Sequence, residues 1–368
     1  TGEDAVRYIV NLARERGVAS IVKSKSMASE EIHLNEHLIK QGLEVVETDL
    51  GEWIIQQAGQ RPSHMVLPCI HMSKEQVAEV FSRTLEEEIS PDIPNLVHIA
   101  RRELRKKFLA ADMGISGANV AVAETGTIAL FSNEGNARLT TTLPPIHVVL
   151  VGYEKIVPKF SDIETLARLL PRSATAQRLT SYLTMITGSV PAWDKESGTE
   201  TAKDYHIILL DNGRLDMARD PVFKEAFQCL RCGACLNVCP VYQLVGGHVY
   251  GHIYSGGIGN ILTAFFHSFH EADQPQSLCM QCRKCADICP GAIDIPKLIF
   301  ALRGRLEEKR PLPFVQRMIF EQVLAKRRRF HRGLALGSKL QRPLTKGTKF
   351  IRHLPFSLRS MAEFRSLP

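Results

Sequence analysis

The sequence predicts two folded parts in series, an α/β domain followed by a smaller helical domain built round cysteine turns. Three observations carry that expectation. Helical and strand-like segments alternate through residues 1–215. Eight of the nine cysteines then fall into two copies of one spacing, Cys229-x2-Cys232-x2-Cys235-x3-Cys239-Pro240 and Cys279-x2-Cys282-x2-Cys285-x3-Cys289-Pro290. The 39 residues between Cys239 and Cys279 are too many for a compact hairpin.

In chain order, Ala5, Val6, Ile9, Val10 and Ala13 mark one face of an opening helix. Strands are expected at 18–22, 43–47 and 64–67, with a helix at 30–41 between the first two. A further helix is expected at 96–111, with Arg101, Arg102, Arg105, Lys106 and Lys107 on it. Residues 119–131 read as β-rich around a Thr-Gly pair, and Pro144-Pro145 precedes an apolar strand at 146–151. A last strand at 207–210 closes on Asp211-Asn212-Gly213, which makes the polar stretch 189–203 a loop inside the domain. The boundary falls at 216–220, where Asp220 is placed to cap a helix opening on Pro221. Beyond it, the apolar run 261–269 and the segment from Pro296, with Leu298, Ile299, Phe300 and Leu302, read as helices. The expected domains are therefore 1–215, 216–305 and a C-terminal segment, 306–368.

The cysteine spacing is chemically demanding. A cubane takes four thiolates, and a turn with cysteines at every third residue supplies three. In bacterial two-cluster proteins the cysteine before proline ligates the other cluster. The expected sets are therefore Cys229, Cys232, Cys235 with Cys289, and Cys279, Cys282, Cys285 with Cys239, holding two [4Fe-4S] clusters. A disulfide framework suits a short secreted chain, and zinc sites come as separated Cys-x2-Cys pairs. With four cysteines for each cluster, His248, His252, His267 and His270 between the motifs read as structural. Cys69, beside Pro68, reads as a small buried hydrophobe.

The net charge of +7 hides an asymmetry. From Ala301 onward there are 17 Lys and Arg against 4 Asp and Glu, so the tail carries +13 and the remainder −6. Phe314, Val315, Met318, Ile319, Val323 and Leu324 recur at helical spacing before Lys326-Arg-Arg-Arg329, a pattern that suits an anionic membrane surface, a partner, or a solvated helix. No apolar run approaches the roughly 18 residues that span a bilayer. The expectation is a cytoplasmic protein, with the tail as a peripheral contact at the inner face of the membrane and no nucleic-acid partner.

Two segments of the first domain invite chemistry. Lys23-Ser24-Lys25-Ser26 lies at a strand-to-helix junction suited to an anion, or to a plain cap by Ser26 or Ser29. Glu124, in Glu124-Thr-Gly-Thr127, is a candidate nucleophile or general base.

Several strings together resemble the iron–sulfur subunit of the bacterial L-lactate utilization system, the lactate utilization protein B family. They are Val46-Glu-Thr-Asp-Leu-Gly-Glu52, Ala123-Glu-Thr-Gly-Thr127, Asn133-Glu-Gly-Asn136, Leu143-Pro-Pro-Ile-His147, Leu210-Asp-Asn-Gly-Arg214, and the doubled cysteine motif followed by Gly246-Gly-His248. The resemblance covers nearly the whole chain. It implies an N-terminal domain similar to the sugar-phosphate isomerase and CoA-transferase fold, a helical ferredoxin, and residues preceding Thr1. Lactate dehydrogenation removes two electrons and needs a hydride acceptor, yet no Gly-x-Gly-x-x-Gly fingerprint or Walker loop is present. The expectation is an electron-transfer subunit, not catalytic alone, that relays single electrons in L-lactate oxidation to pyruvate. Its implied partners are companion subunits and a flavoprotein or quinone-linked acceptor. The alternatives are an acyl- or phosphate-handling N-terminal enzyme with structural or sensing clusters, and a relay in another quinone-, disulfide- or flavin-linked pathway.

Overall fold

A computed structural model describes residues 1–193, 197–308 and 313–345, with side chains to residue 339. Residues 1–306 form one compact unit, and the described residues from 307 onward belong to a second.

Among the described residues, eleven strands run through the first domain: β1 Ser20–Lys23, β2 Glu44–Glu47, β3 Met113–Ser116, β4 Val120–Val122, β5 Ile128–Ser132, β6 Ile146–Gly152, β7 Ile156–Val157, β8 Tyr182–Ile186, β9 Pro191–Trp193, β10 Glu200–Ala202 and β11 Asp204–Leu210. Five of them make a parallel sheet in the order β11-β6-β3-β1-β2. Alternation along each strand sends side chains to both faces. Ile21 joins Ile9, Leu12, Leu38, Ile115 and Leu150 under the opening helix Gly2–Glu15. Its neighbour Val22 joins Trp53, Phe81, Ile99 and Phe108 on the other face. A second sheet, β7-β4-β5-β8, packs Ile128, Leu130 and Ile186 against Val149 and Val151 of β6.

Several expectations need correction. The 30–41 helix is two helices, Met27–Glu31 and Leu34–Lys40, separated by His33 in the left-handed region. Residues 64–67 are not a strand, because the His64 Nδ1 accepts the N–H groups of Val66 and Leu67 and closes the backbone into a bend. The 189–203 loop carries the β9–β10 antiparallel pair, its residues 194–196 lying outside the described residues. Asp220 does cap, accepting from Val222 and Phe223, but the turn leads into a 3-10 segment, Lys224–Gln228, and not an α-helix.

The second domain is helical as expected, with Gly256–Phe266, Phe269–Ser277 and Ile295–Glu308 as its longer helices. Phe223, Leu236, Tyr254, Ile258, Ile261, Leu298 and Leu302 fill its core. Phe300, expected to pack, points outward. Met65, from the bend of the first domain, belongs to this core.

Polar ties complete the junction. Ser63 O accepts the Tyr242 hydroxyl at 3.0 Å, and Gly247 N donates to Ser63 Oγ. A Cβ on Gly247 would stand 1.6 Å from Ser63 O, so only glycine admits this approach. The second unit, considered by itself, has helices Phe314–Ile319 and Arg327–Thr345 joined by a π-turn, with Phe314, Val315, Met318 and Phe320 exposed. Of the basic segment, 309–312 and 346–368 lie outside the described residues.

Candidate metal centres

The two cysteine turns share a backbone, although only the cysteines and the closing proline match between them. Arg231 and Gly233 in the first, and Gln281 and Arg283 in the second, occupy the same two steps with positive φ, at 62°, 75°, 59° and 67°. A non-glycine residue there costs on the order of 1 kcal/mol or more. Each turn runs into a short helix, Ala234–Asn237 or Lys284–Asp287, which carries the third cysteine.

Folding brings Cys229, Cys232, Cys235 and Cys289 to the lining of one small cavity, with Met65, Leu230, Ile258 and Ile293. Around the second turn, burial pushes the Cys285 thiol up to about 12, and the nearby thiolates of Cys279, Cys282 and Cys239 add to it. Burial likewise raises Cys232, Cys235 and Cys279. All nine cysteines are free. Among the described residues no three His, Cys, Asp or Glu side chains converge on a single-ion site. A cubane, ligated iron by iron, asks for no such convergence.

The sulfurs also meet donors. Tyr242 N–H reaches Cys239 Sγ at 3.5 Å and the Gln281 side-chain amide reaches Cys279 Sγ at 3.8 Å. Ala234 N–H serves Cys232, and Ile258 N–H serves Cys235. Tyr250 donates its hydroxyl to Cys239. Such bonds, with burial, are how a protein sets a cluster's potential. Convergent thiols, inward N–H groups and an apolar surround therefore fit [4Fe-4S] groups.

A buried charge network backs the first turn. Arg214 holds Glu31 bidentately at 2.8 and 2.9 Å and Glu154 at 2.5 Å, and Arg231 Nη2 reaches Glu154 at 3.2 Å. Tyr254 donates to Glu31 at 2.8 Å. Burial alone would raise Glu154, yet Arg231 and Arg214 hold it down at about 2. Burial draws Lys155 down to about 8, against the pull of Glu154. Lys155, Glu154, Arg214, Glu31 and Met65 were not foreseen as site residues; Arg214 lay inside a quoted string, but nothing in a linear pattern shows that a charge is buried.

The anticipated anion segment divides. Lys23 is fully buried and engaged with Ser29, Glu30 and Glu47 at 2.7 to 2.8 Å, the two carboxylates raising it in spite of burial. It has nothing left for an anion. Ser26 caps Met27–Glu31. Ser24, Lys25 and Ser26 instead line a separate cavity of about 340 Å³. Glu124 is exposed on the β4–β5 turn, accepts Phe160 N–H, and is not among that cavity's lining residues. Cys69 is half-buried beside the Trp53 core. His248 bonds Arg61 O, His252 pairs with Glu271 and stacks on His267, and His270 is exposed.

Residues 1–210 match the LUD domain family and residues 225–293 the 4Fe-4S dicluster domain family. Lactate utilization protein B of Bacillus subtilis (strain 168) is 44% identical over 310 residues, covering 84% of this chain and 64% of its own length. Lactate utilization protein B 1 of Bacillus mycoides (strain KBAB4) is 38% identical over 372 residues, covering 100% of this chain and 76% of its own. The chain belongs to the lactate utilization protein B family. It spans just under two thirds of the Bacillus subtilis relative. The "Uncharacterized electron transport protein YkgF" of Escherichia coli (strain K12) is 40% identical over 311 residues, covering 84% of this chain and 64% of its own length. The strings that carried the resemblance to the lactate utilization protein B family now have places. Asn133, Glu134 and Asn136 line the cavity, and Asn212 and Arg214 both bond Glu31.

Proposed function

We propose that the chain is the iron–sulfur electron-transfer subunit of a lactate-oxidising system, holding two [4Fe-4S] clusters on crossed cysteine sets. Cys229, Cys232, Cys235 and Cys289 would hold one, and Cys279, Cys282, Cys285 and Cys239 the other. The single observation that carries this reading is the meeting of Cys289 with the first three cysteines in one cavity, fifty residues further along the sequence than Cys239. When bound, [4Fe-4S] groups supply one-electron chemistry.

The chain's own residues do the rest. The inward N–H groups and Tyr250 stabilise sulfur charge, and the core of Leu236, Ile258 and Ile295 excludes water. Cys282 and its neighbour Met280 are exposed, which gives a redox partner access to the second turn. The printed names of the relatives support lactate as the electron source and electron transport as the role. Companion subunits, with a flavoprotein or quinone-linked acceptor, are the proposed partners, and the site is proposed to be cytoplasmic. Among the described residues no helix is long and apolar enough to cross a membrane. The exposed apolar face of Phe314–Ile319 with its following arginines suits a peripheral lipid contact.

Iron and acid-labile sulfide assays test the ligand sets. About eight irons per chain are expected, halved in Cys232→Ser and in Cys282→Ser. Lactate-dependent electron transfer that survives either loss would overturn the relay.

A further inference from the structure

The 340 Å³ cavity lies at the carboxyl edge of the parallel sheet, where Ser24–Ala28 follow β1, Gly117–Asn119 follow β3 and Glu154–Lys155 follow β6. The sheet order reverses between β1 and β3, the position at which open α/β sheets bind ligands. Its volume suits a small molecule. Two of its lining residues, Met65 and Leu230, also line the cavity of Cys229, Cys232, Cys235 and Cys289, so the two spaces share a wall.

Arg231 lines the 340 Å³ cavity from within the first cysteine turn. Its side chain is 7% exposed, and while Nη2 holds Glu154, Nε and Nη1 have no hydrogen-bond partner. Leaving a buried donor unmade costs about 1–3 kcal/mol, more when the group is charged. Lys155, on the same lining, donates to Leu230 O at 3.4 Å, which leaves donors of its ammonium for another acceptor. Lys25 is directed to Val66 O at 2.6 Å, and Glu134 and Asp49 are engaged by the N–H groups at Leu50 to Glu52. Lys25 keeps donors too but lies 3.9 Å from the Glu52 carboxylate, whereas Arg231 belongs to the first cysteine turn and Lys155 bonds to it at Leu230.

We propose that this cavity binds a small organic anion whose carboxylate or phosphate group is taken by Arg231 and Lys155, and that the bound charge lowers the potential of the cluster in the Cys229 turn. The coupling follows from position. Arg231 lies between Cys229 and Cys232, so an anion that neutralises it removes positive charge beside the cluster. The coupling half rests on the cluster reading above, and the binding half does not.

The test uses the isolated full chain with its clusters. Calorimetry with pyruvate, L-lactate and inorganic phosphate is expected to show one site per chain, weakened at least about tenfold in Arg231→Gln and in Lys155→Gln. Preference for pyruvate or lactate identifies a carboxylate ligand, and preference for phosphate a phosphate ester. Potentiometric EPR is expected to show one of two midpoints shifting down on saturation, and not in the variants. If Arg231→Gln loses iron, Lys155→Gln, which lies outside both cysteine turns, decides. No binding by any of the three anions, or undiminished binding in the iron-replete variants, overturns the site. Binding with an unmoved midpoint overturns the coupling alone.

Discussion

The two cysteine turns have the same backbone and opposite surroundings. The first lies under Met65 of the α/β domain and is tied through Arg231 and Glu154 to a buried charge network. The second opens to solvent: Cys282 is exposed, Met280 is 64% exposed, and Arg283 pairs with Asp294 at the surface. Local chemistry thus sets the turn, and long-range packing sets what each turn can exchange with. The inner turn faces a cavity of its own chain and the outer turn a surface fit for a partner.

The comparison predicts unequal consequences for matched changes. Largest is the loss of either ligand set: Cys232→Ser and Cys282→Ser should each abolish lactate-driven electron transfer, while only Cys282→Ser leaves the EPR signal of the inner cluster. Next comes the arginine partner. Glu154→Gln leaves Arg231 and Arg214 with too little negative charge in the interior and should cost about 3–5 kcal/mol in urea unfolding. Asp294→Asn, at the exposed pair, should cost less than about 1 kcal/mol, since asparagine keeps the helix cap. Equal costs would erase the distinction between the turns.

Acid should loosen the inner turn first. Burial, with Lys25 adding, lowers His64 to about 4, and its Nε2 faces Asn237 beside the first turn while Nδ1 accepts two N–H groups. The unfolded histidine takes its proton near 6.5 and the folded one near 4, so stability falls as pH drops through that window. At pH 5 the loss is about 2 kcal/mol relative to pH 7.5, measurable by denaturant titration and absent in His64→Ala. The smallest effect is on the backbone. Arg283→Gly, which relieves a left-handed residue in the open turn, should change stability by within about 1 kcal/mol, whereas Arg231→Gly should destabilise because it empties a buried ion pair.

What was legible beforehand follows the range of the interactions. The opening helix, β1, β2, β6 and β11 show in apolar periodicity because burial on one or two faces leaves that mark, and the metal centres show in cysteine spacing; the four-residue β3 did not show in the sequence. Nor did the bend at 64–67, since its geometry comes from a histidine ring accepting from its own backbone. Lys23 falls in a segment whose sequence suits either an anion or a plain cap, and its engagement with Glu30 and Glu47 is assembled only by folding. The 340 Å³ cavity and the unmet donors of Arg231 were invisible for the same reason, being assembled from β1, β3, β6 and a cysteine turn far apart in sequence.

Low-temperature EPR of the full chain purified with its companion subunits, before and after anaerobic addition of L-lactate, tests the relay most directly. Two reduced [4Fe-4S] signals should appear with lactate, one of them missing in Cys282→Ser. Clusters that dithionite reduces but lactate leaves silent would contradict the account.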